Sequence, residues 1–292
     1  MHMPGTEFTS LSEEARFRLF QLREIPPPST MAREVLRIAG DDYVDLEEVA
    51  GLIEKSPELT ARVLRCANSA YYGHRRRVNS AQEAIIRVLG LSVTKGLILA
   101  LSLASPFQVR ACGGFRYDRH WFISMVTAIL ARDLAGSLQL TGKLSPGEAY
   151  TAGLIHNLGM LAMVHAFPEE ISEILDEAEP FGMAARMQDR LGLNHYLAGG
   201  WLARYWGLPE DLVRVIAHCR EEDYQGPNAP LVRLIGGAAD LAEGLFAGGE
   251  IGHLPPAWSG GLIPADDAEE VLREVAGQVP DLMGLASQLA GG

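Results

Sequence analysis

The run Asp45-Leu-Glu-Glu-Val-Ala-Gly-Leu-Ile-Glu-Lys-Ser-Pro-Glu-Leu-Thr-Ala-Arg-Val-Leu-Arg-Cys-Ala-Asn-Ser-Ala-Tyr-Tyr-Gly73 decides the fold class. Twice within it a polar capping residue is followed by apolar residues spaced three or four apart and then by a break, the pattern of short amphipathic helices. Asp45 with Glu48 has the form of a capping box, and Ser56-Pro57 puts proline at the first helical position, where its missing N–H costs nothing. The same grammar recurs outward from here. Ser80-Ala-Gln-Glu83 and Ser145-Pro146 open helices, and Gly40, Gly90 and Gly207 stand where helices should end. There is no convincing period-two strand and no Asn-Gly or Asp-Gly hairpin turn, so the chain reads as all-α. The spacing predicts helices near 10–24, 30–39, 45–55, 57–71, 80–89, 92–104, 118–140, 146–164, 168–178, 182–191, 194–206, 209–220, 229–246 and 266–276.

A chain of 292 residues, 48% of them hydrophobic, can bury a real core as one large or two ordinary domains. Three separated cysteines, Cys66, Cys112 and Cys219, argue for reduced thiols and against a disulfide framework or zinc site. The first ten residues lack the basic and apolar regions of a secretory signal, and the longest apolar stretch, Leu97 to Ala104, is too short to span a bilayer. A soluble cytoplasmic protein with no membrane contact is therefore expected.

The net charge of −12 weighs against nonspecific nucleic-acid binding. Residues 60–119 nevertheless carry ten basic side chains against Glu83 and Asp118. This uneven distribution suits an acidic partner or a phosphate ligand, although a solvated helical surface has the same composition. Arg75-Arg76-Arg77, after Tyr71-Tyr-Gly-His74, has the makings of a claw for phosphate or carboxylate, and Arg62 and Arg65 would extend it.

A second informative stretch is Thr151-Ala-Gly-Leu-Ile-His-Asn-Leu-Gly-Met160, which resembles the His-Asp signature of metal phosphohydrolases with Asn157 in place of the aspartate. A carboxylate there gives a divalent cation a charged oxygen; Asn157 offers a neutral amide oxygen. No Gly-x-Ser-x-Gly elbow, Walker A loop or Rossmann glycine motif is present, and no cofactor is implied. His218-Cys219 does not make a nucleophile pair, because adjacent helical residues point about 100° apart. Gly199-Gly200 and Gly236-Gly237, inside helical patterns, indicate close helix packing.

Ile25-Pro-Pro-Pro-Ser29, the Asp45–Gly73 run and Val78-Asn-Ser-Ala-Gln-Glu-Ala-Ile-Ile-Arg-Val-Leu-Gly-Leu91 together resemble the HD-related output domain, HDOD. Ala152 to Met160, Asn194-His195 and Trp206-Gly-Leu-Pro209 are similar to its C-terminal part. The resemblance covers roughly residues 20–245, with helical halves at 20–110 and 115–245, an extension at 1–19, and a loop with a short helical tail at 246–292. It implies a compact helical domain related to HD phosphohydrolases, usually catalytically degenerate and linked in bacteria to signal transduction and cyclic-dinucleotide control.

Carried over residue by residue, the resemblance places the early metal position on Ile123, the pair on His156-Asn157, and the later positions on His195, His218 and Asp240. Zinc can be held by three histidines and one carboxylate, so a residual site is chemically possible. Two positions are lost, however, and a buried histidine has a bland alternative role as a hydrogen-bonding core residue. His120 lies one turn before Ile123, displaced roughly 4.5 Å along the axis, so replacement would require the helix to slide. The expectation is a noncatalytic, metal-free module that contacts signalling proteins in trans, with its working surface on the basic N-terminal half. The alternatives are a residual phosphohydrolase using His156, His195, His218 and Asp240, or a sensor holding an anionic nucleotide, including a cyclic dinucleotide, at Arg75–Arg77.

Overall fold

In a computed structural model of the protein, residues 12–39, 44–73, 76–138, 144–177, 182–221, 223–249, 254–258 and 261–291 are described. Among them there is no strand, and the all-α expectation holds. The caps read from the sequence form. Asp45 accepts from the Glu48 N–H at 2.8 Å, and Ser56 from the Leu59 N–H at 3.2 Å, opening α3 (Leu46–Glu54) and α4 (Pro57–Ala67). Ser80 accepts from the Glu83 N–H at 3.1 Å while Glu83 accepts from the Asn79 N–H at 3.0 Å, opening α5 (Ala81–Ala84). A π turn (Ile85–Leu89) carries α5 to Gly90, whose φ of 74° suits a residue without a side chain. Gly40 lies outside the described residues.

Earlier in the chain come α1 (Glu13–Gln21) and α2 (Thr30–Ala39), and later α6 (Leu91–Ala104) and α7 (Tyr117–Leu134). Every residue of α7 from His120 to Ala131 is buried, which makes it a central rod and not a surface helix. Packed around α7 are α8 (Pro146–Ile155), α14 (Ala229–Phe246), α15 (Ala265–Gly277) and α16 (Val279–Ala290). Between α8 and α14 the chain forms α9 (Leu158–Ala166), buried from Leu158 to Val164, then α10 (Pro168–Glu177), α11 (Met183–Leu191), α12 (His195–Tyr205) and α13 (Glu210–His218). One hydrophobic cluster runs from Leu19 to Leu289 through both halves. No helix among the described residues is long and apolar enough to cross a membrane.

Three expectations about elements are corrected. The predicted helix 146–164 is two helices, because the chain turns at His156-Asn157, where Asn157 has φ −101° and ψ 22°. The apolar pattern runs unbroken through the turn, so periodicity alone conceals it. The expected short tail is the pair α15 and α16, and α16 buries Leu282, Leu285 and Leu289 against the central helices. Pro280, a breaker inside a helix, here sits within the first turn of α16 and is tolerated there. The predicted 57–71 helix stops at Ala67, and Asn68 explains why. Its amide donates to the carbonyls of Leu64 (2.8 Å) and Val78 (2.9 Å), and its oxygen accepts from the Val78 N–H (2.8 Å), pinning both ends of the following loop.

Candidate functional site

A cavity of about 380 Å³ opens where the start of α7, the α8–α9 turn, the start of α12, Arg220 and α14 meet. Its position follows from a close helix crossing. A Cβ added at Gly159 would lie 1.8 Å from the His195 carbonyl oxygen, and one added at Gly199 would lie 2.8 Å from Gly159 Cα. Only glycine at both places lets α9 and α12 approach this closely. His156 stands one turn before Gly159 and His195 one turn before Gly199, so the crossing brings both imidazoles to one wall.

His156 is 4% exposed, and its Nδ1 lies 2.7 Å from the Gly153 carbonyl oxygen. A carbonyl only accepts, so Nδ1–H donates and Nε2 keeps the lone pair. Asn194 caps α12 by accepting from the Leu197 N–H at 3.0 Å, which fixes the backbone that carries His195. Burial pushes His156 down to about 4, an effect opposed by its bond to Gly153 and reinforced by the Arg220 charge. Burial, with Arg220 and His156 adding to it, pushes His195 down to about 3. His120 falls to about 3 through burial and the neighbouring His156. All three rings are neutral at neutral pH.

The expected ligands do not assemble. His156, Asn157, His195 and Ile123 line the cavity, but His218 and Asp240 are not on its wall. His218 Nδ1 is 2.7 Å from Glu221 Oε1, and its ring stacks on Tyr224 at 4.9 Å. Asp240 forms an ion pair with Arg220. Arg220, 27% exposed and with Nη2 3.9 Å from Glu243 Oε2, stands on the wall beside the histidines. Its positive charge opposes a dication in the same space. Among the described residues there is no group of three or more His, Cys, Asp or Glu side chains arranged to hold a metal. A resident metal does not fit this donor set. Burial also pushes the Cys219 thiol up to about 12, which disqualifies it as a nucleophile at neutral pH.

The basic claw is corrected in one essential member. Arg62 is 7% exposed, donates from Nη2 to the Leu289 carbonyl at 2.8 Å, and lies 5.6 Å over the Trp121 ring. It pins α16 to α4 and α7 and is not available to a partner. Arg65, Arg76 and Arg77 are exposed, and Arg75 lies outside the described residues. The cavity has its own arginines, which sequence reasoning did not assign to a site. Arg119, His120 and Ile123 share one face of α7, with Arg116 at its N-cap, a visible signal, whereas nothing in the sequence announces Arg220 or Glu243.

Residues 25–222 match the HDOD domain. The chain belongs to the HDOD family. The HDOD proteins and related folds similar to it include the HDOD domain protein of unknown function from Geobacter sulfurreducens, 23% identical with a TM-score of 0.72, covering 94% of this chain and 98% of that one. A Marinobacter aquaeolei VT8 protein named for signal transduction is 21% identical with a TM-score of 0.78, over 97% of this chain and 68% of its own. A Shewanella amazonensis SB2B protein named as a phosphohydrolase is 25% identical with a TM-score of 0.64, over 94% and 93% of the two chains. An uncharacterized protein of Treponema pallidum (strain Nichols) is 25% identical over 214 residues, and the match spans 72% of this chain but 40% of that relative's length. The HDOD match includes the α8–α9 turn and both pocket histidines, His156 and His195.

Proposed function

We propose that this HDOD domain is a noncatalytic signal-transduction module that acts by binding other proteins in trans. The observation that carries the reading is Arg220: a guanidinium shares the wall with His156 and His195, where a phosphohydrolase would need a cation. Asn157 in place of a carboxylate and Ile123 in place of a donor point the same way. Membership in the HDOD family and the likeness to a protein named for signal transduction support a signalling role.

Metal analysis of the purified protein and a phosphodiesterase assay with added manganese test the catalytic half of the reading. The expected result is substoichiometric metal and no turnover. Stoichiometric metal together with hydrolysis that disappears in His156→Ala would establish the residual phosphohydrolase instead. Crosslinking in the native host, with Arg65→Glu/Arg76→Glu/Arg77→Glu as the comparison, tests the protein-binding half. Loss of a specific crosslinked protein in the triple variant is expected, and an unchanged pattern removes the basic surface from the reading.

A further inference from the structure

We infer that the cavity at the former metal position binds a small organic anion, its phosphoryl or carboxylate head met by Arg116, Arg119 and Arg220 and its other polar atoms by His120, His195 and Asn157. Three atoms on this wall lack a hydrogen-bond partner although they are buried: His120 Nδ1, His195 Nδ1 and Asn157 Oδ1. Both histidines are 6% exposed. Such orphans in a folded interior are uncommon and costly, and these three belong to residues that line one cavity.

The charged side chains on the wall itself are mainly basic. Of the charged groups on the wall, three are arginines and one is Glu243. The carboxylates facing the arginines are Asp118, 2.6 Å from Arg116, Asp240 on Arg220, and Glu243. Arg116 and Arg119 also lie over the Phe246 ring at 5.1 and 5.6 Å, a contact that restrains both heads. Guanidiniums oriented in this way suit the planar, bidentate recognition of a carboxylate or phosphoryl group. Phe115, Met160, Leu175 and Met183 complete the lining with apolar surface, so the occupant has a carbon body behind its charged head. At about 380 Å³ the space lies near the lower end of small-molecule sites, roughly 300–1,000 Å³.

The inference stands independently of the noncatalytic reading. If the cavity binds a phosphate ester and also hydrolyses it, that reading fails while the site remains. If it binds nothing, the site fails alone.

Isothermal titration of the full chain with phenyl phosphate, benzoate and inorganic phosphate tests the site. Saturable binding of at least one of the two organic anions at one per chain is expected, tighter than inorganic phosphate and weakened about tenfold or more in Arg119→Met, the loss of one charge-assisted contact. Arg76→Met/Arg77→Met, on the opposite half, should bind as the unaltered protein does. Benzoate and phenyl phosphate distinguish a carboxylate from a phosphoryl head. Should Arg119→Met fail to fold, the imidazole resonances of His120 and His195 in the unaltered protein provide the readout, and they should shift on adding the anion. No saturable binding of either organic anion, equal affinity in Arg119→Met, or unmoved His120 and His195 resonances would each overturn the inference.

Discussion

His120, His156 and His195 share one wall, and their burial makes the protein's stability dependent on pH in a definite direction. Each has a folded-state pKa of about 3 to 4, below the ordinary value of 6.5. The unfolded chain therefore binds more protons than the folded one below about pH 6.5, and stability is full above that value and lost as pH falls toward the folded values. Urea unfolding should show a loss of roughly 1 kcal/mol per histidine between pH 6.5 and 5.5, on top of the carboxylate contribution at lower pH. A flat stability across that interval in the unaltered protein would show that these rings are not buried as described. Arg62 gives a second prediction at this scale. Arg62→Met keeps most of the stem but loses the bond to the Leu289 carbonyl and the stacking on Trp121. It should cost about 2 kcal/mol in the same measurement without altering the affinity of any ligand for the α7 cavity.

At the scale of the element, the glycines separate into those that permit a crossing and those that do not. At Gly159 a methyl group would meet the His195 carbonyl oxygen at 1.8 Å, and backbone cannot step aside as a side chain can. Gly159→Ala should therefore cost 3 kcal/mol or more, of order the larger overpacking penalties, and should pull His156 away from His195. Gly51, inside α3, would meet nothing within 4 Å. Gly51→Ala should instead stabilise by up to about 1 kcal/mol through helix propensity, and thermal denaturation of the two variants side by side checks both signs. The caps at Asp45, Ser56 and Ser80 were legible because capping is local: donor and acceptor lie three residues apart. The turn at His156-Asn157 was not, because the apolar pattern runs unbroken through it, and the close crossing of α12 at Gly159 involves residues distant in sequence.

At the scale of the whole molecule, the HDOD match stops at residue 222, yet the core does not. The later helices α14, α15 and α16 pack on α7, and α14 supplies Glu243 to the cavity. Ending the chain after Gln278 would remove Leu282, Leu285 and Leu289, none more than 2% exposed now, and uncover the apolar surface of α7 and α4 against which α16 packs. At about 1.5–3 kcal/mol for each leucine the loss is roughly 5–9 kcal/mol, comparable to the whole stability of an ordinary domain. The shortened chain should lose cooperative unfolding by circular dichroism; a retained sharp transition would mean that α16 is an accessory. The sequence by itself determined the all-α class and the capped helix starts at Asp45, Ser56 and Ser80, and its motifs carried the kinship with HDOD domains. The class and the caps are properties of spacings within one helix, whereas the kinship rests on a resemblance spread over several stretches. Only the tertiary structure decided that Arg220 stands with the pocket histidines, that His218 and Asp240 do not line the cavity, that Arg62 is a buried anchor, and that three arginines line the same cavity as His120, His195 and Asn157. Helical periodicity reveals which face of an element is apolar. It carries no information about which distant element covers that face, and this cavity is assembled from residues spread between Gly114 and Glu243.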